Sequence, residues 1–229
     1  MTPPRRILLG AGLAAVAAVA LVLVLRPSGP RGEALDARQR AMKLLGETLA
    51  GMRPGSPVLV LSNPFARDSG RRDDTGRFER AGTRGLREGL GSRSELKVVF
   101  PEIRPEYHTD PASVIIPPDS RTPLSFLVEP ASVDRLAEEH PECRVIVSLI
   151  GLPIGVEGLK VWEEGDPRGF GLLLPDLRVL GSPARAAAAF RSGKILAAVV
   201  VDARTGEPLI VTQDNLAEVL EGQPKSLGY

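Results

Sequence analysis

Cysteine is nearly absent from this sequence, since Cys143 is the only one among 229 residues. A single cysteine cannot form a disulfide within the chain. This excludes the small extracellular scaffolds whose stability depends on several disulfides. The fold therefore has to be stabilised by packing, and 43% hydrophobic residues are enough for an ordinary globular core.

The sequence also lacks the short motifs that mark common cofactor and metal sites. It contains no GxGxxG, Walker, CxxC or HExxH pattern and no internal repeat. The one group of metal-ligating residue types in a single segment is Glu102, Glu106, His108 and Asp110, and its spacing matches no established site. We therefore predict no catalytic residue, no metal and no cofactor.

An excess of basic charge is missing as well. The chain has 29 basic and 28 acidic residues, whereas a nucleic-acid-binding domain normally has enough lysine and arginine to neutralise phosphates. We predict that nucleic acid is not a partner.

What the sequence does have is one long apolar run. Ile7 to Leu25 contains no charged or strongly polar side chain, and as a helix it would span roughly 28 Å. Arg5 and Arg6 directly precede it, which places the N-terminus in the cytoplasm by the positive-inside rule. The pattern predicts a single-pass protein of the inner (cytoplasmic) membrane with its C-terminal domain in the periplasm or outside the cell. A cleaved signal peptide is the alternative.

Three segments follow from this reading. Residues 1–26 are the predicted transmembrane signal-anchor. Residues 27–55 are a linker and an amphipathic stalk helix, over Glu33 to Gly51, and residues 56–229 are the exported domain.

The pattern of the exported domain predicts strands alternating with helices. Short apolar runs bounded by proline, glycine or polar residues predict five strands, at 58–61, 96–100, 145–150, 169–174 and 195–201. Helices are predicted over 75–90, 133–140 and 182–193, with a closing helix capped by Thr212. The short turn at 204–207 requires that a last strand, 209–211, be antiparallel. The fold class is therefore α/β, a doubly wound, mainly parallel sheet in a single domain, preceded by the transmembrane helix.

Ligands of such sheets bind at the carboxyl ends of the strands, near the point where the strand order reverses. This rule selects the loops after the first, third and fourth strands. The predicted ligand-binding residues are Ser62, Asn63, Phe65, Ser148, Gly151 and Asp176. The alternative at these positions is ordinary turn chemistry.

The segment VLVLSNPF contains the first predicted strand, and RVIVSLIGLP contains the central one, each followed by its loop. In architecture the chain resembles one lobe of the type-1 periplasmic substrate-binding proteins of ABC transporters, over Pro57 to Leu220. The resemblance implies that Ser62, Asn63, Ser148 and Gly151 face a ligand, although this chain lacks the second lobe. It also looks like uncharacterised exported bacterial proteins.

The sequence thus predicts a membrane-anchored, extracytoplasmic ligand-binding or interaction module. Its partner would be a small molecule or an envelope protein. The alternatives are an enzyme of unknown type and a structural partner in an envelope complex.

Overall fold

The computed structural model describes residues 29–68 and 73–229. The apolar run predicted to cross a membrane, Ile7 to Leu25, lies outside these residues, and among those described no helix is long and apolar enough to span a bilayer. The chain divides into two compact units, Met1–Ala34 and Leu35–Tyr229. Of the first unit only residues 29–34 are described, and the second unit contains the sheet.

Within the described residues, six strands form one sheet in the order β2-β1-β3-β4-β5-β6. The first five are parallel and β6 pairs antiparallel with β5, as the sequence predicts. The order reverses between β1 and β3. The strands are β1 (Val58–Leu61), β2 (Leu96–Val99), β3 (Val145–Ser148), β4 (Gly169–Leu173), β5 (Ile195–Val201) and β6 (Pro208–Val211).

Helices cover both faces of the sheet, so the doubly wound α/β class is confirmed. One face is buried by α1 and α2 and the other by α5, α6 and α7, because alternate strand residues point to opposite sides. The helices are α1 (Pro30–Met52), α2 (Asp74–Leu90), α3 (Pro105–Thr109), α4 (Leu124–Leu127), α5 (Pro130–Glu139), α6 (Pro183–Arg191) and α7 (Leu216–Gly222).

Helix α1, which the sequence assigns to a stalk, packs on the sheet. Met42, Leu45 and Leu49 are fully buried, whereas Met52 is 41% exposed. A methyl carbon of Leu49 lies where a side chain on Gly171 of β4 would be, so the glycine lets the helix approach the strand closely. Residues Leu35 to Met52 of α1 thus belong to the same compact unit as the sheet.

The glycines of α2 lie against helix α1 and not against the sheet. Their spacing predicts close approach to the sheet, but a β-carbon on Gly85 or Gly89 would overlap the backbone of α1 at Gln39 or Lys43. The two helices therefore approach each other through these glycines. The arginine side chains of α2 lie on its exposed face: Arg77, Arg80, Arg84 and Arg87.

Two element boundaries differ from the expectation for local reasons. Strand β3 ends at Ser148 rather than at residue 150, because the Ser148 hydroxyl donates to the carbonyl oxygen of Gly151 and turns the chain. Helix α7 begins at Leu216, since the side chain of Asn215 accepts from the backbone N–H of Thr212 and holds a turn there. Ser182 caps α6 as predicted.

Candidate functional site

The carboxyl ends of the strands are crossed by one long segment, residues 101–128, which we call the strap. Its two ends meet in an antiparallel bridge between Ile103 and Val128. Between them the chain forms α3, α4 and a short turn at Pro111–Ser113. The strap is thus an excursion that leaves β2 and returns beside it before α5 begins.

Several contacts hold the strap against the ends of β3 and β4. The first is at Gly151, which has φ +86°, and a β-carbon there would lie 2.6 Å from the side chain of Thr122. Only glycine fits that position, for both its backbone conformation and the space. The second contact is the backbone N–H of Arg121, which donates to Asp176 over 3.4 Å.

Asp176 joins the strap to the C-terminal part of the chain. It is 3% exposed and accepts from Arg178 Nε at 2.9 Å and from Arg178 Nη2 at 2.7 Å. Arg178 in turn donates to Asp119 of the strap. Burial acts to raise the pKa of Asp176, but the hydrogen bonds from Arg178 and Arg121 outweigh it and hold that pKa below its usual value.

A buried polar network lies at the end of β1, next to the reversal of strand order. The Ser62 hydroxyl donates to Glu79 of α2 at 2.6 Å, and the backbone N–H of Asn63 donates to the same oxygen at 3.2 Å. The other oxygen of Glu79 pairs with Arg38 of α1 at 2.6 Å. One carboxylate therefore ties the end of β1 to both helices of that face.

Arg38 also lines a cleft between α1, the strap and the ends of β3 and β4, which we call the edge cleft. Its volume is about 160 Å³. Arg38 and Arg121 supply its charge, and four aliphatic side chains from the strand ends supply its apolar wall. The lining residues are Arg38, Arg121, Thr122, Pro123, Leu124, Leu149, Ile150, Leu173 and Leu174.

One wall residue of the edge cleft has an unusual backbone. Leu174 has φ +44°, the one positive φ recorded for a non-glycine residue in the described part of the chain. Such a conformation costs on the order of 1–3 kcal/mol and persists only where the surroundings impose it. It turns the chain sharply after β4, so that Asp176 follows directly at the base of the strap.

A second cleft, of about 260 Å³, lies on the other side of the strap, between Pro117, Phe126 and Ile154. A third lies away from the strap, between α7 and the β5–β6 hairpin, and Leu209 is one of its lining residues. The edge cleft differs from both in having two arginines beside the ends of central strands.

Aromatic side chains gather at the ends of β1 and β2, in a group that we call the aromatic surface: Phe65, Phe100, Tyr107 and His108. The rings of Phe65 and Tyr107 meet edge to face at 6.4 Å, and Phe65 is 48% exposed. The Arg67 guanidinium lies 5.7 Å from the centre of the Phe100 ring. Since aromatic residues make up only 4% of the chain, their concentration here is a specific feature.

All six ligand-binding residues predicted from the sequence lie at this edge of the sheet, but their side chains do different things. Ser62 and Ser148 are buried and use their hydroxyls within the fold. Asn63 accepts from the N–H of Phe65 at 2.9 Å and starts the turn that exposes that ring. Gly151 and Asp176 contact the strap.

The sequence interpretation missed Arg38, Glu79 and the strap residues Arg121 and Thr122. A signal for the first two was present. Glu79 lies on the buried stripe of α2, three and seven residues before Gly82 and Leu86, and Arg38 lies on the buried stripe of α1. Opposite charges on the buried stripes of two successive helices indicate an ion pair.

Other reactive groups are accounted for by the fold. Cys143 is buried, and burial, followed by the nearby Glu142, raises the pKa of its thiol to about 11. Trp162 packs on Phe170 with ring centres 5.6 Å apart. Among residues 29–68 and 73–229, no three histidine, cysteine or acidic side chains are grouped so that they could hold a metal ion.

No family model matches the chain, and no curated protein matches it either. A solved structure of similar architecture is a carbohydrate transporter from Acidothermus cellulolyticus in complex with myo-inositol, with 12% identity and a TM-score of 0.47. The match covers 83% of this chain and 62% of that protein, so this chain spans less than two thirds of its length.

Proposed function

We propose that this protein is a membrane-anchored, extracytoplasmic module that binds a small molecule at the carboxyl edge of its sheet. The observation that carries the proposal is the edge cleft. It lies at the carboxyl ends of β3 and β4, and the carboxyl edge is where open parallel sheets bind ligands. It also combines apolar walls with a few charged groups, which is the composition of small-molecule sites.

The size of the edge cleft limits what it can hold. Sites for drug-sized ligands usually measure about 300–1,000 Å³, and this cleft measures about 160 Å³. The strap fills the rest of the carboxyl edge. The occupant is accordingly a small metabolite, much of whose surface would contact the strap.

The binding proposal is tested by a thermal-shift screen of small metabolites on the full chain in detergent, followed by two matched variants. Leu124 and Leu209 are both half-buried leucines, and they line the edge cleft and the cleft beside α7. Leu124→Trp is expected to abolish the stabilisation by a hit, whereas Leu209→Trp keeps it. The opposite pattern, or a screen without hits, would refute the site.

The anchor and the location belong to the same proposal. They rest on the uncharged run from Ile7 to Leu25 and on Arg5 and Arg6 before it. We expect the full chain in the membrane fraction, resistant to high salt, with residues after 29 open to a protease added outside the inner membrane. Recovery of a soluble form that lacks residues 1–25 would instead show a cleaved signal peptide.

The aromatic surface favours a second candidate, a module that binds an envelope protein. Exposed aromatic residues are enriched at protein interfaces, and Phe65 is both exposed and held by the turn at Asn63. A photo-crosslinking residue in place of Phe65 should then give a discrete adduct in intact membranes. The same residue in place of Ile115, which is 84% exposed on the strap, is the control that should give none.

A further inference from the structure

We propose that the edge cleft binds a small monocarboxylate with a short aliphatic chain, whose carboxylate is held by Arg121 and Arg38. This inference rests on the proposed function and names the chemical class of its ligand. It is carried by two arginines, Arg38 and Arg121, which line the cleft together with four aliphatic side chains at the ends of β3 and β4.

Arg38 has less compensation than a buried cation normally requires. Its side chain is 17% exposed, and its Nε, which lies 3.1 Å from where a β-carbon on Gly82 of α2 would be, is buried without a hydrogen-bond partner among the described residues. Its one carboxylate partner, Glu79, is shared with Ser62 and Asn63. Burial lowers the pKa of Arg38 despite the attraction of Glu79, so a second anion nearby would stabilise the charged guanidinium.

Arg121 is the other arginine that lines the cleft. Its guanidinium donates to the carbonyl oxygen of Lys225 at 2.5 Å, a neutral acceptor that leaves its charge in place. The carboxylate of Asp176 accepts from the backbone N–H of Arg121 and is bound by the side chain of Arg178. Arg121 is exposed, so an incoming anion reaches it before the cleft interior.

The walls of the cleft determine which chemical group can accompany the carboxylate. Leu149 and Leu173 are at least nine-tenths buried, and with Ile150 and Leu174 they form an aliphatic surface. The hydroxyl of Thr122, which also lines the cleft, is already paired with that of Ser125 at 3.2 Å. A sugar or a phosphate would leave its polar groups unpaired against this surface, which is costly. A carboxylate fits the planar fork of an arginine, and a short aliphatic chain fits the walls.

The experiment is isothermal calorimetry on the full 229-residue chain in detergent. The probes are the carboxylates from acetate to hexanoate, 3-methylbutanoate and its neutral isostere 3-methylbutanamide, and inorganic phosphate. We expect saturable binding of a carboxylate with a short chain. Loss of a hydrogen-bonded charge is worth on the order of tenfold to a hundredfold in affinity, so the amide should bind at least about tenfold more weakly.

Two variants locate the charge. Arg121→Ala should weaken binding of the carboxylate by at least about tenfold without loss of thermal stability, since this exposed side chain makes one hydrogen bond to the described residues, to Lys225. Arg121→Lys keeps the charge but loses the planar fork, so its affinity for the carboxylate should lie between those of the wild type and Arg121→Ala. Arg84→Ala, at an exposed arginine of α2, is the control that leaves affinity unchanged.

The outcomes separate this inference from the function on which it rests. Equal affinity for the amide, preference for phosphate, or unchanged binding by Arg121→Ala would overturn the carboxylate assignment. If no carboxylate binds but a neutral hit from the metabolite screen is lost in Leu124→Trp, the edge cleft is a site for another class and only the inference fails. If Leu124→Trp leaves every hit unchanged, the site itself fails.

Discussion

At the scale of single residues, the feature that organises the carboxyl edge is the carboxylate of Glu79. It accepts from Ser62 and Asn63 after β1 and pairs with Arg38 of α1. A buried charge pair adds little to stability by itself, because desolvation opposes the attraction, but the loss of one partner is costly. The network therefore fixes where β1 ends and where Arg38 lies relative to the edge cleft.

This network predicts a high cost for a small change. Ser62→Ala removes one donor from a buried carboxylate, and hydrogen bonds to charged groups contribute about 1.5–3 kcal/mol. We expect the free energy of unfolding, measured by urea titration, to fall by that amount. Ser92→Ala, at an exposed serine on the turn after α2, should stay within about 0.5 kcal/mol. Equal effects of the two variants would contradict the role given to Glu79.

The residues of the edge were partly predictable from the sequence. Strand ends are visible as apolar runs that stop at polar or proline residues, so Ser62, Asn63 and Asp176 could be placed correctly. The partner of each side chain could not be read in the same way. Glu79 is 17 positions from Ser62, and Arg38 is 41 positions from Glu79, and contacts at such separations depend on how helices pack on the sheet.

At the scale of elements, the strap and the α1–α2 pair decide what the edge can do. The strap is long and rich in proline, which is typical of a loop but does not indicate the course that the loop takes. The structure shows that Asp176, Arg178 and Asp119 clasp it onto the end of β4. Because the clasp consists of ionised groups, its strength depends on pH.

The clasp should weaken in acid. Hydrogen bonds from Arg178 lower the pKa of both Asp176 and Asp119, against burial in the case of Asp176. Carboxyls with lowered pKa values stabilise the fold at pH values above their ordinary pKa of about 3.9, and this stabilisation is lost as the pH falls through the folded-state values. The difference in unfolding free energy between the wild type and Asp176→Asn should thus be constant above about pH 5 and shrink below about pH 4. A constant difference down to pH 2.5 would count against the clasp.

The α1–α2 pair is held together by glycines. A β-carbon on Gly89 of α2 would overlap the carbonyl oxygen of Lys43 in α1. A β-carbon on Gly51 of α1 would meet nothing within 4 Å. Gly89→Ala should lower the free energy of unfolding by about 1–3 kcal/mol because the helices must separate. Gly51→Ala should be neutral or stabilising by up to about 1 kcal/mol from helix propensity. Thermal or urea unfolding of both variants decides this, and a stabilising Gly89→Ala would disprove the close approach.

The elements themselves follow from simple patterns, but their neighbours do not. Apolar runs predicted β1, β3, β4 and β5 to within two residues at each end. The amphipathic stripe of α1 showed that one face is buried, but a stripe does not identify the surface that buries it. For the same reason the glycines of α2 were assigned to the sheet when they face α1.

At the scale of the whole molecule, the parallel sheet places several polar loops at one edge, and the strap closes most of that edge. The edge cleft remains open there, lined by Arg38, Arg121 and aliphatic walls. In the proposed function, the anchor would hold this site outside the cytoplasm, where small metabolites reach it from the surrounding solution.

The central claim, that a small molecule binds at this edge, is tested most directly by hydrogen–deuterium exchange. The full chain would be compared with and without the molecule that stabilises it most. The account predicts slower exchange in peptides that cover residues 117–128 and 149–154, where the strap meets the end of β3, and unchanged exchange in α6. Slower exchange confined to the helical faces, with the strap unaffected by a bound molecule, would contradict it.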